Sequence, residues 1–157
     1  MKKISVLFVC LGNICRSPAA EAIFIQLLRN DERQNEFIVD SAGTGSWHVG
    51  KEADSRMRFA AKQRGIIIKS KARQINIDDL KKFNYIIAMD NSNYKNIMKI
   101  KNRDSQCNYS KILKIQEFAS VFHEKEVPDP YFGGDDGFNY VLDILEDSVS
   151  GFLKSIT

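Results

Sequence analysis

Residues 9–18 read V-C-L-G-N-I-C-R-S-P and follow the run K-K-I-S-V-L-F, whose apolar character is that of a buried strand. A strand over Ile4–Val9 and a helix starting near Ser17 leave Cys10–Arg16 as the turn between them. Ser17 is the expected N-cap, and Pro18 takes the first helical position, where its missing N–H does no harm. Glu21 lies one residue too far along for a capping box. Ile23, Phe24, Leu27 and Leu28 recur at helical spacing and would seat that helix on a sheet.

The same alternation continues outward. A second strand is expected at Phe37–Ser41, a second helix at Ala53–Arg64 stopped by Gly65, and a third strand at Tyr85–Met89 with Asp90 just past its end. A short helix follows from about Ser92 to Met98, then a fourth strand at Ile112–Ile115. Beyond the turn-rich V-P-D-P-Y-F-G-G-D-D-G, Phe138, Val141, Leu142, Leu145, Val149 and Phe152 hold a three-to-four spacing, which predicts the last helix. Strands alternating with helices imply an α/β fold of three layers: a central four-stranded parallel sheet of the flavodoxin or Rossmann type, with helices on both faces and right-handed crossovers. In such sheets ligands bind outside the carboxyl ends of the strands, where Cys10–Ser17 and Asp90 fall.

The chain's 157 residues, 43% of them hydrophobic, suit one domain spanning 1–157, with no repeat or linker to divide it. No apolar run reaches the roughly 18 residues of a membrane span. The apolar start runs into polar loop residues, not into a cleavage site. Three cysteines, an odd number, argue for reduced thiols, and a cytoplasmic protein is expected. A net charge of +3 leaves no strong nucleic-acid footprint. The clusters Lys69, Lys71, Arg73 and Lys95, Lys99, Lys101, Arg103 read as solvated faces, or as attraction for an acidic substrate.

The first loop has the groups of an anion site. Its closing residues reach a helix N-terminus, where N–H groups lack partners and the dipole is positive. It has neither the second glycine nor the lysine of a nucleotide-binding loop. Arg16 offers a planar fork to two phosphate oxygens, and Gly12 is expected to bend the backbone in a way closed to other residues. Cys10 at the base of the cradle feels the dipole, the loop N–H groups and Arg16, all of which favour thiolate. Ser17 can donate to that sulfur, and Asn13 can brace the loop.

V-C-L-G-N-I-C-R-S-P resembles the active-site signature of the low-molecular-weight protein tyrosine phosphatases, a nucleophilic cysteine and an arginine separated by five residues and followed by serine. V-P-D-P-Y-F-G-G at 127–134 resembles the loop that gives this family its general acid, and S-A-G-T, A-R-Q and M-D-x-S-N extend the likeness over nearly the whole chain. The resemblance implies hydrolysis of phosphotyrosine in protein substrates, and of small aryl phosphates, through a cysteinyl-phosphate. Cys10 is then the nucleophile, Arg16 the phosphate clamp and Asp129 the general acid and base, with Leu11, Gly12, Asn13, Ile14, Cys15 and Ser17 completing the loop. Trp47 and Tyr131 match aromatic walls around the substrate ring, and Asp90 a residue that organises the arginine, though a helix-start aspartate is an equal reading. Cys15 matches a vicinal cysteine that can form a protective disulfide with the nucleophile.

Inorganic phosphate or sulfate could fill the loop, and a tyrosine kinase is a candidate among the protein substrates. No cofactor or metal is called for. A monomer without membrane insertion is expected. Cys107 is expected to be inert, and His48 and His123 to be surface residues. One departure stands out: some family members carry a histidine two residues before A-R-Q that orients the active-site serine, and here that position is Ser70.

Three alternatives stay open. Arsenate reductases of this fold need two further cysteines, and residues 71–106 contain none. Protein-arginine phosphatases place a threonine where this chain has Ile14. A phosphopeptide-binding module could use the cradle without turnover, but would need neither a thiolate nor an acid.

Overall fold

The computed structural model describes residues 2–104, 106–131, 133–134 and 136–157. The opening run forms β1, Ile4–Cys10, one residue longer than expected because Cys10 still pairs with Gly43. β2 (Phe37–Gly43) lies parallel to β1 on one side, and β3 (Tyr85–Ala88) on the other, with β4 (Lys111–Lys114) beyond it. The sheet is four-stranded and wholly parallel in the order β2-β1-β3-β4.

Alternation along β1 divides the core. Val6, Phe8 and Cys10 face one side, where α1 (Arg16–Asn30), α2 (Ser55–Lys62) and α5 (Asp136–Ser155) pack. Leu7 and Val9 face the other, covered by the short α3 (Asp79–Lys82) and by α4 (Asn91–Lys101). Phe152 of α5 binds the first layer together, with ring contacts to Phe8, Phe24, Tyr85 and Phe118 at 5.2–6.4 Å between centroids. Helices on both faces of a parallel sheet are as the sequence implied. Among the described residues no helix is long and apolar enough to cross a membrane.

The strand order places a switch point between β1 and β3. From β1 the chain steps outward to β2 through α1, then crosses to β3 on the far side. The two connections part above the carboxyl ends of β1 and β3, leaving a crevice there. Cys10–Arg16 and Asp90 border it.

α2, α4 and the strands end within three residues of their expected bounds, and two local features depart further. α1 begins at Arg16 with Cys15 at the N-cap, so Ser17 is the second helical residue and caps nothing. Its hydroxyl is drawn to other partners, described below. α3 had no signal, since four residues are too few to show a helical period.

Candidate active site

The loop after β1 closes on itself around the Cys10 sulfur. Asn13 N–H points at Cys10 Sγ from 3.3 Å, and Ser17 Oγ lies 3.0 Å from it. The left-handed residue that makes this turn is Asn13, at φ 57, and not Gly12, which is outside that region. Asparagine tolerates the conformation, and here its amide is fixed as well. Its Oδ1 accepts Arg73 N–H at 3.0 Å, while Nδ2 donates to Ser17 Oγ at 2.8 Å and to Ser41 Oγ at 3.0 Å. Gly12 serves close approach instead: a Cβ there would lie 3.0 Å from the His48 ring.

The loop is also stitched from outside. Thr44 and Gly45 N–H groups donate to the Cys10 and Leu11 carbonyls at 2.9 Å, and Asp54 N–H to that of Ile14 at 2.8 Å. Gly43 permits this contact, because a Cβ there would stand 2.7 Å from the Leu11 carbonyl oxygen. Arg73, expected on a solvated face, is half-buried: it binds Asp79 through both Nη atoms and Asp40 through Nε, all at 3.0 Å. That anchors the segment whose N–H holds Asn13.

Arg16 and Cys10 are each only 2% exposed. Arg16 Nη1 donates to Asp90 Oδ2 at 2.6 Å and to the Val127 carbonyl at 3.1 Å. Burial opposes the guanidinium charge, but the Cys10 sulfur, Asp90 and Asp129 outweigh it and raise Arg16 above the ordinary value. The same Asp90 side chain also starts α4, since its Oδ1 accepts Asn93 N–H at 2.7 Å as the cap. Asp129 Oδ2 stands 3.5 Å from Arg16 Nη2, and its Oδ1 accepts Tyr131 N–H at 3.1 Å. Arg56 ties this loop down through the Tyr131 carbonyl at 3.0 Å and through Asp54, the cap of α2. Phe132, in the same motif, lies outside the described residues.

These groups line a cleft of about 380 Å³, with Cys10 and Arg16 inside and Leu11, Ile14, Trp47, His48, Asp129 and Tyr131 around it. Trp47, 69% exposed, forms a lip. His48 is not the surface residue expected: it is half-buried in the wall, its ring 5.8 Å from that of Tyr131. Neither histidine spacing nor any local pattern marks it. His123 is exposed, and Cys107 packs in the second core layer. Burial, then Asp54, Cys10 and Asp129, push the Cys15 thiol well above its ordinary value. Among the described residues, no group of three or more histidine, cysteine, aspartate or glutamate side chains could hold a metal ion.

The family model described as low molecular weight phosphotyrosine protein phosphatase matches residues 5–157. A low molecular weight phosphotyrosine protein phosphatase of Schizosaccharomyces pombe is 46% identical, the match covering 99% of this chain and 98% of that protein. Among solved structures, the protein tyrosine phosphatase of Entamoeba histolytica with Hepes in its active site has a TM-score of 0.92 at 45% identity, over 98% of this chain and 97% of that one. The Drosophila arginine phosphatase has a TM-score of 0.91 at 36% identity, over 97% of each chain. The chain belongs to the low molecular weight phosphotyrosine protein phosphatase family and is a protein-tyrosine phosphatase.

Proposed function

We propose that Cys10 is the nucleophile of this phosphatase, Arg16 its phosphate clamp and Asp129 its general acid and base. One observation carries the reading: a buried sulfur that accepts Asn13 N–H and lies 3.0 Å from the Ser17 hydroxyl, a buried guanidinium braced by Asp90, and a carboxylate 3.5 Å from that guanidinium meet in one cleft. Cys10 Sγ attacks phosphorus in line and the bond to the tyrosine oxygen breaks. Loop N–H groups at the start of α1 and Arg16 take the equatorial oxygens, where charge collects. Asp129 gives its proton to the departing phenolate, then takes one from the water that releases phosphate from sulfur. With Oδ1 held by Tyr131 N–H, Oδ2 is the oxygen left to carry that proton.

The walls support an aromatic substrate. Trp47, His48 and Tyr131 surround the mouth and Ile14 is apolar, so a phosphotyrosine side chain is long enough, and flat enough, to reach the sulfur. The likeness to the Drosophila arginine phosphatase supports a second reading, phosphoarginine. Comparing phosphotyrosine and phosphoarginine peptides separates the two. Inorganic phosphate or sulfate would compete for the loop. The Hepes in the Entamoeba enzyme, which carries a sulfonate, supports that. The protein acts as a cytoplasmic monomer on phosphotyrosine proteins, a tyrosine kinase among them.

Cys15 guards the nucleophile. Peroxide converts Cys10 to a sulfenic acid, Cys15 sulfur attacks it, and water leaves as the disulfide forms. Held as a thiol by its surroundings, Cys15 does not compete for phosphate in the resting enzyme. Recovery of activity by dithiothreitol after peroxide should drop in Cys15→Ser relative to wild type.

The governing experiment is steady-state hydrolysis of p-nitrophenyl phosphate by wild type, Cys10→Ser and Asp129→Ala. Cys10→Ser should be inactive, and activity that survives it would sink the mechanism.

A further inference from the structure

Glu21 is a half-buried acid that the mechanism above leaves unused. It sits one turn after Ser17 on α1, and its Oε1 lies 2.5 Å from Ser41 Oγ on β2. Ser70 borders the same small cleft and favours the charge on its carboxylate. Ser41 Oγ receives one proton of Asn13 Nδ2, and Ser17 Oγ receives the other. The amide cannot be turned round, because Arg73 N–H can only donate and so requires Asn13 Oδ1 on its side. Each serine therefore has its own hydroxyl proton to place elsewhere. The Ser41 proton goes to Glu21. The Ser17 proton has two acceptors in reach, Cys10 Sγ at 3.0 Å and the Ala42 carbonyl at 3.4 Å.

We propose that Glu21 is a positioning residue for the phosphatase reaction: by taking the Ser41 proton it holds Ser41 as an acceptor for Asn13, and through Asn13 keeps the Ser17 proton on Cys10. The relay runs Glu21, Ser41, Asn13, Ser17, Cys10, every bond donating toward one end or the other from Asn13 and the serines. It rests on Cys10 being the nucleophile. Without Glu21 the Ser41 hydroxyl loses its acceptor and turns, the Asn13 amide loosens, and Ser17 is freed to bond Ala42.

The relay depends on pH. Burial pushes the Glu21 carboxyl up to about 7, with Asp40 adding to the effect and Ser41, Ser70 and Arg73 opposing it. The charged neighbours are Asp40 on β2 and Arg73, which pair with each other, Asp79 behind Arg73, and Arg29 and Lys69, which border the small cleft beside Glu21. An ionised carboxylate can only accept. A protonated one can donate to Ser41 and reverse the order. The arrangement is therefore fixed above about pH 7 and slack below it.

The test uses full-length Glu21→Ala, Glu21→Gln, Ser41→Ala and the double variant E21A/S41A. Alkylation of Cys10 by iodoacetamide, followed on its own peptide by mass spectrometry, reads the thiolate without turnover. In Glu21→Ala its pH midpoint should move up, and kcat on p-nitrophenyl phosphate should fall roughly threefold to tenfold with KM within about twofold. Ser41→Ala should reproduce both effects, and the double variant should be no worse than either single. Glu21→Gln, which keeps the packing, should match wild type well below pH 7 and fall behind above it. Unchanged midpoints, additive effects, or a ratio of Glu21→Gln to wild type that is constant with pH each overturn the proposal. Cys10→Ser run alongside keeps the two questions apart, since its activity bears on the nucleophile alone.

Discussion

Ser17 Oγ faces Cys10 Sγ at 3.0 Å instead of capping the helix whose start its sequence suggests. A serine before a proline is a common opening for a helix, and the local pattern alone supports that use. Here the helix starts at Arg16, so Ser17 is carried inside the first turn and over the sulfur. The hydroxyl that would have satisfied a backbone N–H is thus turned toward the Cys10 sulfur.

Ser17→Ala should lower kcat by about tenfold to a hundredfold, the effect of losing one hydrogen bond to a charged group, with a smaller change in KM. The second step should suffer as well, because the sulfur leaves phosphorus as a thiolate. Rapid-mixing measurements should then show a burst of phenolate release larger than that of wild type. Helix content should not change, since no cap is lost, but stability should drop about 1–2 kcal/mol because Asn13 Nδ2 loses an acceptor.

Asp90 combines two tasks that substitution can separate. Asp90→Ala removes the α4 cap and the partner of a buried arginine, whereas Asp90→Asn keeps an oxygen for Asn93 N–H but presents an amide to Arg16. Denaturant unfolding should show Ala about 1 kcal/mol less stable than Asn, the usual worth of a cap. Both should raise KM and the inhibition constant of inorganic phosphate, because Arg16 Nη1 is no longer held by a carboxylate.

The fold was legible because its signals are local and periodic: the Ile4–Val9 run, and the apolar spacing of Phe138 to Phe152. The loop was legible because Cys10, Arg16 and Ser17 lie within eight residues of one another. What was not legible depends on partners far along the chain. Arg73 acts through a backbone N–H on Asn13 sixty residues away, Glu21 through a serine twenty away, and His48 through a wall shared with Tyr131. The left-handed turn falls at Asn13 and not at the neighbouring glycine because only the asparagine side chain is gripped on both sides.

Asp129→Ala should lower kcat/KM, which reports phosphoryl transfer to Cys10 and not the later hydrolysis, about a hundredfold to a thousandfold on phosphotyrosine, whose phenolate needs a proton, within the range for a lost general acid. The loss should shrink on dinitrophenyl phosphate, whose leaving group departs unprotonated. A plot of log kcat/KM against leaving-group pKa should therefore be steeper for the variant. Equal losses on both substrates would remove Asp129 from the acid role.

Glu21 should make stability and activity move in opposite directions with pH. Its carboxyl is raised from 4.5 to about 7 by burial, so the folded protein binds that proton more tightly than the unfolded chain. The resulting stabilisation is complete below the unfolded value of 4.5 and is lost as pH rises through about 7. Its full size, up to ~3 kcal/mol, is reduced by the part of the side chain that water reaches. Glu21→Gln cannot ionise and should not suffer this loss, so its melting temperature should gain on that of wild type between about pH 5 and pH 8. Over the same interval the relay reading has the variant losing activity against wild type. If the melting curves of the two proteins keep a constant separation with pH, Glu21 is not a carboxyl held up by burial. If the variant is instead both more stable and slower at the upper end, the ionised carboxylate is retained at a cost in stability because the Ser41, Asn13 and Ser17 chain requires an acceptor there.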